Sequence, residues 1–255
     1  MKIFIEISEL IKVFGSGRDE VHAFGPATIN INTGEFVSIL GPSGCGKSTL
    51  MLMVAGLLNS TSGKVEFENK LVKGPKTDIG IMFQDNTLVP WRTVKENIEL
   101  QLELRGLNLK DYQEQIDNLL KSVSLEDFAD RFPNELSGGM QQRAAFCQAM
   151  IHDPKIILLD EPLGKLDAMT REKIRADFQK LWMIKKPTVI FVTHSIEEAV
   201  QLSSRVILIT PRPGKIDREI IIDLPYPRES KVKRSPKFIK YVNSIQEVFQ
   251  KYGVI

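Results

Sequence analysis

The run Gly41-Pro42-Ser43-Gly44-Cys45-Gly46-Lys47-Ser48 brings glycines, a lysine and a hydroxyl together in one short stretch. It fits the spacing Gly, four residues, Gly-Lys-Ser/Thr, in which glycines let backbone N–H groups turn inward around phosphate oxygens. Lys47 is expected on the β- and γ-phosphates, and Ser48 offers a hydroxyl to magnesium. The apolar run Phe36–Leu40 precedes the loop and a helical pattern starts near Lys47, so the motif lies between strand and helix. The positive end of that helix adds to the anion site. The residues expected to touch the nucleotide here are Gly41, Pro42, Ser43, Gly44, Cys45, Gly46, Lys47, Ser48 and Thr49. The Cys45 thiol itself is assigned no chemistry.

A second group of chemical residues closes another apolar run: Ile156-Ile157-Leu158-Leu159 is followed by Asp160 and Glu161. Carboxylates at the C-terminal end of a buried parallel strand face the ligand crevice of an open α/β sheet. Asp160 is expected in the magnesium shell. Glu161 is expected to orient, or accept a proton from, the water attacking the γ-phosphate. His194 follows the apolar run Thr188–Thr193 and is placed beside the γ-phosphate by the same argument, whereas His22 and His152 read as structural.

These groups need a scaffold that ends several strands at one edge. Short β-branched runs at 36–40, 78–83, 156–160, 188–193 and 205–210 alternate with helical patterns, which predicts an α/β fold with a mostly parallel, buried sheet. Residues 1–33 and 63–72 read as antiparallel strands forming a β subdomain against the core. Between 93 and 152 strands disappear and Val94, Ile98, Leu102, Ile116, Leu119, Leu120 and Val123 recur at helical spacing, an inserted helical subdomain. The expected organisation is a single ATPase domain over 1–255: a core at about 1–84 and 153–225, the insert at about 85–152, and a C-terminal extension at about 226–255. After Pro211 a strand pair is expected, then a basic run at 231–240 and a last helix near 241–251.

Composition narrows the function. The 34 Lys and Arg against 32 Asp and Glu give a net charge of +2, without the basic excess that a nucleic-acid backbone demands. Two distant cysteines, Cys45 and Cys147, lack zinc or disulfide spacing. The first residues lack a secretory pattern, and no apolar run approaches the ~20 residues that span a bilayer. Any membrane role is expected to use another chain.

Leu136-Ser137-Gly138-Gly139-Met140-Gln141-Gln142-Arg143 resembles the signature sequence of ABC ATPases. Physically it is a second anion site, with small residues at a helix start. The resemblance covers nearly the whole chain. It implies that Ser137, Gly138, Gly139 and Gln141 of one subunit cover ATP held by the phosphate loop of another, in a head-to-tail dimer. It also implies that Gln84 is the Q-loop glutamine, a magnesium contact and relay, that Asp167 is the D-loop aspartate at the dimer seam, and that Phe14 stacks on adenine.

Further segments, Leu88-Val89-Pro90-Trp91-Arg92-Thr93-Val94, Leu102-Glu103-Leu104-Arg105-Gly106 and Pro211-Arg212-Pro213-Gly214-Lys215-Ile216, look like those of nitrate/sulfonate/taurine-type importers, a group that also serves pyrimidine precursors. Met140, Ser195, Leu163 and Lys165 depart from common family residues. The expectation is an ATP- and Mg²⁺-dependent subunit on the cytoplasmic face of the membrane, pairing with itself or a second ABC subunit. Integral permease subunits and, through the complex, a solute-binding protein are the implied partners, with no nucleic acid. Trp91 and the helical insert are the expected docking surface. The alternative is a soluble ABC ATPase of DNA repair or translation, which usually needs a long coiled coil or tandem cassettes.

Overall fold

The computed structural model describes residues 2–85, 87–164 and 166–254, so Lys165 lies outside the described residues. The elements in chain order are β1 (Ile3–Phe14), β2 (Val21–Asn32), β3 (Phe36–Leu40), α1 (Lys47–Val54), β4 (Ser62–Phe67), β5 (Lys70–Leu71) and β6 (Ile79–Met82). They continue with α2 (Val94–Glu103), α3 (Gln113–Ser122), α4 (Gly138–Met150), β7 (Ile156–Asp160), α5 (Ala168–Lys185), β8 (Thr188–Thr193), α6 (Ile196–Leu202), β9 (Arg205–Ile209), β10 (Ile216–Ile221) and α7 (Pro236–Lys251). Thr77–Lys185 form one compact unit; Met1–Lys76 and Lys186–Ile255 form the other.

The unit built from the two ends of the chain contains an antiparallel sheet in the order β2-β1-β4-β5. In β2, Ala27, Ile29 and Ile31 are buried while Thr28 and Asn30 between them are exposed, the period-2 pattern of a sheet with one covered face. A second set of strands runs β10-β9-β3-β8. β3, β8 and β9 are buried along their whole length, as parallel strands covered on both faces must be. The register puts Leu40 opposite Thr193 and Leu208. The phosphate loop and His194 therefore leave this sheet side by side, at its C-terminal edge.

The C-terminal part differs from the expected pattern. After Pro211 there is one strand, β10, which returns antiparallel onto β9. α7 begins at Pro236 rather than near 241, because Ser235 accepts the Phe238 N–H at 3.3 Å and proline suits a first helical position. The basic run at 231–240 thus spans a 3₁₀ turn, Ser230–Arg234, and the first turn of α7. Lys231, Lys233 and Lys237 pair with Glu229, Glu197 and Asp223 at 2.9, 3.4 and 2.6 Å. The apolar face of α7 places Phe238, Ile245, Val248 and Phe249 in a core with Val200, Val206 and Leu208.

The unit at 77–185 holds the parallel pair β6-β7 together with α2, α3, α4 and α5. α2 starts at a capping box: Thr93 accepts from the Glu96 N–H and the Glu96 carboxylate accepts from the Thr93 N–H. Ile98, Leu102, Ile116 and Leu120 are buried, and Phe146 stacks on Phe178 with centroids 4.0 Å apart. A Cβ on Gly80 would stand 2.2 Å from the Ala149 oxygen, so α4 can ride close over β6 only because residue 80 is glycine. Among the described residues, no helix is long and apolar enough to cross a membrane.

Candidate nucleotide-binding site

The loop at 41–46 follows β3 and ends on Gly46, whose φ of 96° is left-handed. A Cβ there would lie 2.4 Å from the Ala23 oxygen of β2. Both space and conformation demand glycine at this position. Gly214 is equally constrained from outside the loop, since its Cβ would fall 1.8 Å from the Cys45 oxygen. The Gly25 N–H donates to the Gly214 oxygen at 2.8 Å. Two backbone segments distant in sequence thus brace the loop. Lys47 is buried, and its Nζ donates to the Gly41 and Pro42 oxygens at 3.0 and 2.9 Å, which holds the ammonium against its own loop. Cys45 is buried as well, whereas Ser43, Gly44 and Ser48 are exposed and Thr49 is half-buried.

Phe14 ends β1 opposite Val21, two residues from the Ala23 oxygen that faces Gly46. Phe14 is 43% exposed, and its ring centroid lies 5.0 Å from the Lys12 ammonium. A ring this exposed is available to stack, unlike the buried core aromatics. His194 is exposed at the end of β8. Thr193 before it and Ser195 after it are both hydrogen-bonded to Glu198. This unit therefore groups the phosphate loop, Lys47, Ser48, Phe14 and His194.

The unit at 77–185 carries the remaining candidates in two clusters. Met82 pairs with Leu159, so the segment leading to Gln84 and the Asp160-Glu161 pair leave β6 and β7 at the same edge. Asp160 is buried, Gln84 is exposed, and Glu161 is half-buried with a left-handed φ of 43°. A non-glycine residue in that region costs roughly 1–3 kcal/mol and collects at functional positions.

The other cluster is the start of α4. Ser137 caps it, accepting from the Met140 N–H at 3.4 Å, with Ser137 and Gly138 exposed. Gly139 is buried, and a Cβ there would be 2.3 Å from the Thr170 methyl. Gln141 donates to the Pro133 and Leu136 oxygens at 2.7 and 3.4 Å, which ties the preceding turn to the helix. Asp167 accepts from the N–H groups of Met169 and Thr170 at 3.1 and 3.0 Å. Its hydrogen bonds with Thr170 hold this exposed carboxyl below the usual carboxylate range.

Of the departures from common family residues, Met140 is half-buried, Leu163 is fully buried, and Ser195 caps α6. His152 takes a hydrogen bond at 3.1 Å from Arg105. In the sequence Gly214 stands out only as part of a family-like segment, and Thr193 and Glu198 belong to no nucleotide-binding motif. The spacing Ser195-x-x-Glu198 of a helix start was the one local signal available.

A buried parallel strand, a glycine-bounded loop and a helix in direct succession at 36–54 mark an α/β nucleotide-binding fold. The chain belongs to the ABC transporter family, whose model matches residues 24–164. It is 42% identical over 250 residues to an ABC transporter ATP-binding protein of Methanocaldococcus jannaschii, covering 98% of this chain and 92% of that one. It is 39% identical to the nitrate import ATP-binding protein of Synechocystis, with 96% and 95% covered. Identity to the taurine import ATP-binding protein of Jannaschia is 44%, with 86% and 83% covered. A dimeric ATP-binding cassette solved in a post-hydrolysis state with ADP and phosphate superimposes with a TM-score of 0.75 at 34% identity, over 87% of this chain and all of that one.

Proposed function

We propose that the chain is the ATP-hydrolysing subunit of an ABC importer for a small solute of the nitrate, sulfonate, taurine or pyrimidine-precursor kind. The observation that carries the reading is the register of Leu40 with Thr193, which sets the phosphate loop and His194 at one sheet edge. The names of relatives that match most of the chain, for nitrate, taurine and aliphatic sulfonate import, support the solute class. The net charge of +2 gives no support to a nucleic-acid role.

In this reading the N–H groups of residues 41–49 and the Lys47 ammonium bind the phosphates, and Phe14 holds the adenine. Ser48, Gln84 and Asp160 offer a hydroxyl, an amide oxygen and a carboxylate, the hard oxygen donors that suit magnesium. Held by these groups together with the nucleotide, magnesium would supply positive charge to offset that developing on the phosphates. Glu161 orients the attacking water and takes its proton, while His194 hydrogen-bonds the γ-phosphate. Ser137, Gly138, Gly139 and Gln141 serve the nucleotide of a second subunit, and Asp167 lies at the seam. Closure on ATP moves permease subunits docked on the surface around Gln84 and Trp91, at the cytoplasmic face of the membrane. A solute-binding protein delivers the cargo.

Hydrolysis assays with nucleotide titrations test the assignment. Lys47→Ala should weaken ATP binding and abolish turnover; unchanged ATP affinity would remove Lys47 from the phosphate site.

A further inference from the structure

α6 is only 7 residues long, too short to hold its shape alone in water, yet its start fixes the exit of the chain past His194. Three bonds around that exit join Thr193, Ser195 and Glu198, one of them to the Glu198 carboxylate and one to its backbone N–H. Thr193 Oγ1 donates to Glu198 Oε2 at 2.8 Å and accepts the Ser195 N–H at 3.0 Å. Ser195 Oγ accepts the Glu198 N–H at 3.4 Å. The residues before and after His194 are therefore both latched to Glu198, while His194 itself stays exposed.

Thr193 is 2% exposed and Glu198 4%, so the link between them is shielded from water. Capping a helix needs only the Ser195 hydroxyl. Burying a carboxylic side chain in addition is costly unless it is hydrogen-bonded, and the Thr193 hydroxyl supplies such a bond.

The other end of α6 is fixed independently. Arg228 donates to the Val200 and Ser203 oxygens at 2.8 and 2.7 Å, and the Tyr226 hydroxyl donates to the Leu202 oxygen at 2.8 Å. Loosening the first turn therefore leaves the helix anchored, and the change is confined to the segment that carries His194.

We propose that Glu198, acting through Thr193, is a positioning residue for His194. The pair sets the backbone from which the imidazole reaches the γ-phosphate, so it governs turnover rather than nucleotide affinity. The proposal rests on the reading of His194 as the γ-phosphate contact.

The test is steady-state ATP hydrolysis by the full chain carrying His194→Ala, Thr193→Val, Thr193→Ser, Glu198→Ala, Glu198→Gln, or Thr193→Val with Glu198→Ala. Thr193→Val and Glu198→Ala should each lower kcat ~10- to 10²-fold with KM changed less than about twofold, the pattern of a displaced group that acts only at the chemical step. Thr193→Ser keeps the hydroxyl and Glu198→Gln keeps an acceptor oxygen, so both should stay near the wild-type rate. The double variant should be no slower than the slower single one, because the two residues form one link.

Wild-type kcat in Thr193→Val and Glu198→Ala beside an impaired His194→Ala would overturn the proposal. So would Glu198→Gln as slow as Glu198→Ala, or losses that multiply. A wild-type rate in His194→Ala would instead remove the parent reading, and the proposal with it. Should Glu198→Ala fail to fold, the near-isosteric pair Thr193→Val and Thr193→Ser decides alone.

Discussion

A single methyl group at residue 214 would press on the phosphate loop from outside, because its carbon would fall 1.8 Å from the Cys45 oxygen. Either the loop or the segment at 211–215 must shift. Overpacking of this kind costs ~1–3 kcal/mol, and if that strain falls on the bound loop it weakens ATP affinity by roughly 5- to 150-fold. Gly214→Ala should therefore raise the dissociation constant measured with a fluorescent nucleotide, while Gly74→Ala, which meets nothing within 4 Å, should not.

His152 makes a different statement at the same scale. Burial and the neighbouring Arg105 charge push its imidazole down from 6.5 to about 4. The unfolded chain takes up a proton near 6.5 that the folded chain refuses, so stability is lost as pH falls from 6.5 towards 4. Urea midpoints across that window should slope downward in the wild type and be flatter in His152→Gln. The phosphate loop was legible from sequence because its chemistry is contiguous. Gly214 and Glu198 were not, because what constrains them is a backbone or side chain brought close only by the fold.

At the scale of elements, strands were the easiest to read: Phe36–Leu40, Ile156–Asp160 and Thr188–Thr193 occur where uninterrupted apolar runs predict them. The C-terminal segment was harder. A basic run at 231–240 ahead of a helix near 241 was expected, but Ser235 and Pro236 start the helix in the middle of that run, and Lys233 and Lys237 pair with the distant Glu197 and Asp223. This extension completes α6. The Arg228 guanidinium is buried and donates to the Val200, Ser203, Ile222 and Leu224 oxygens, with Tyr226 stacked at 4.1 Å. Helix C-terminal carbonyls that would otherwise lack partners are satisfied this way. Tyr226→Phe should cost ~1 kcal/mol, the worth of one neutral hydrogen bond. Arg228→Met leaves several buried carbonyls bare, and each such group costs ~1–3 kcal/mol. Thermal midpoints should fall in that order; an Arg228→Met variant as stable as the wild type would show that α6 does not depend on the extension.

At the scale of the whole molecule, one chain carries a phosphate loop and a Ser137-capped helix, which in the proposed function serve different nucleotides. Two chains are then needed to complete each site, in keeping with the dimeric state of the solved cassette that this chain resembles. ATP can drive closure only if it binds the closed dimer more tightly than the open subunits. Removing the Glu161 carboxylate should slow hydrolysis ~10²- to 10⁴-fold without removing a phosphate contact, which would hold the ATP-bound state long enough to observe. The most direct measurement is light scattering coupled to size exclusion on Glu161→Gln, with and without ATP and magnesium. Glu161→Gln is expected to be a monomer without nucleotide and a dimer with it; a chain that binds ATP to saturation and remains monomeric would contradict the claim that two subunits complete each site.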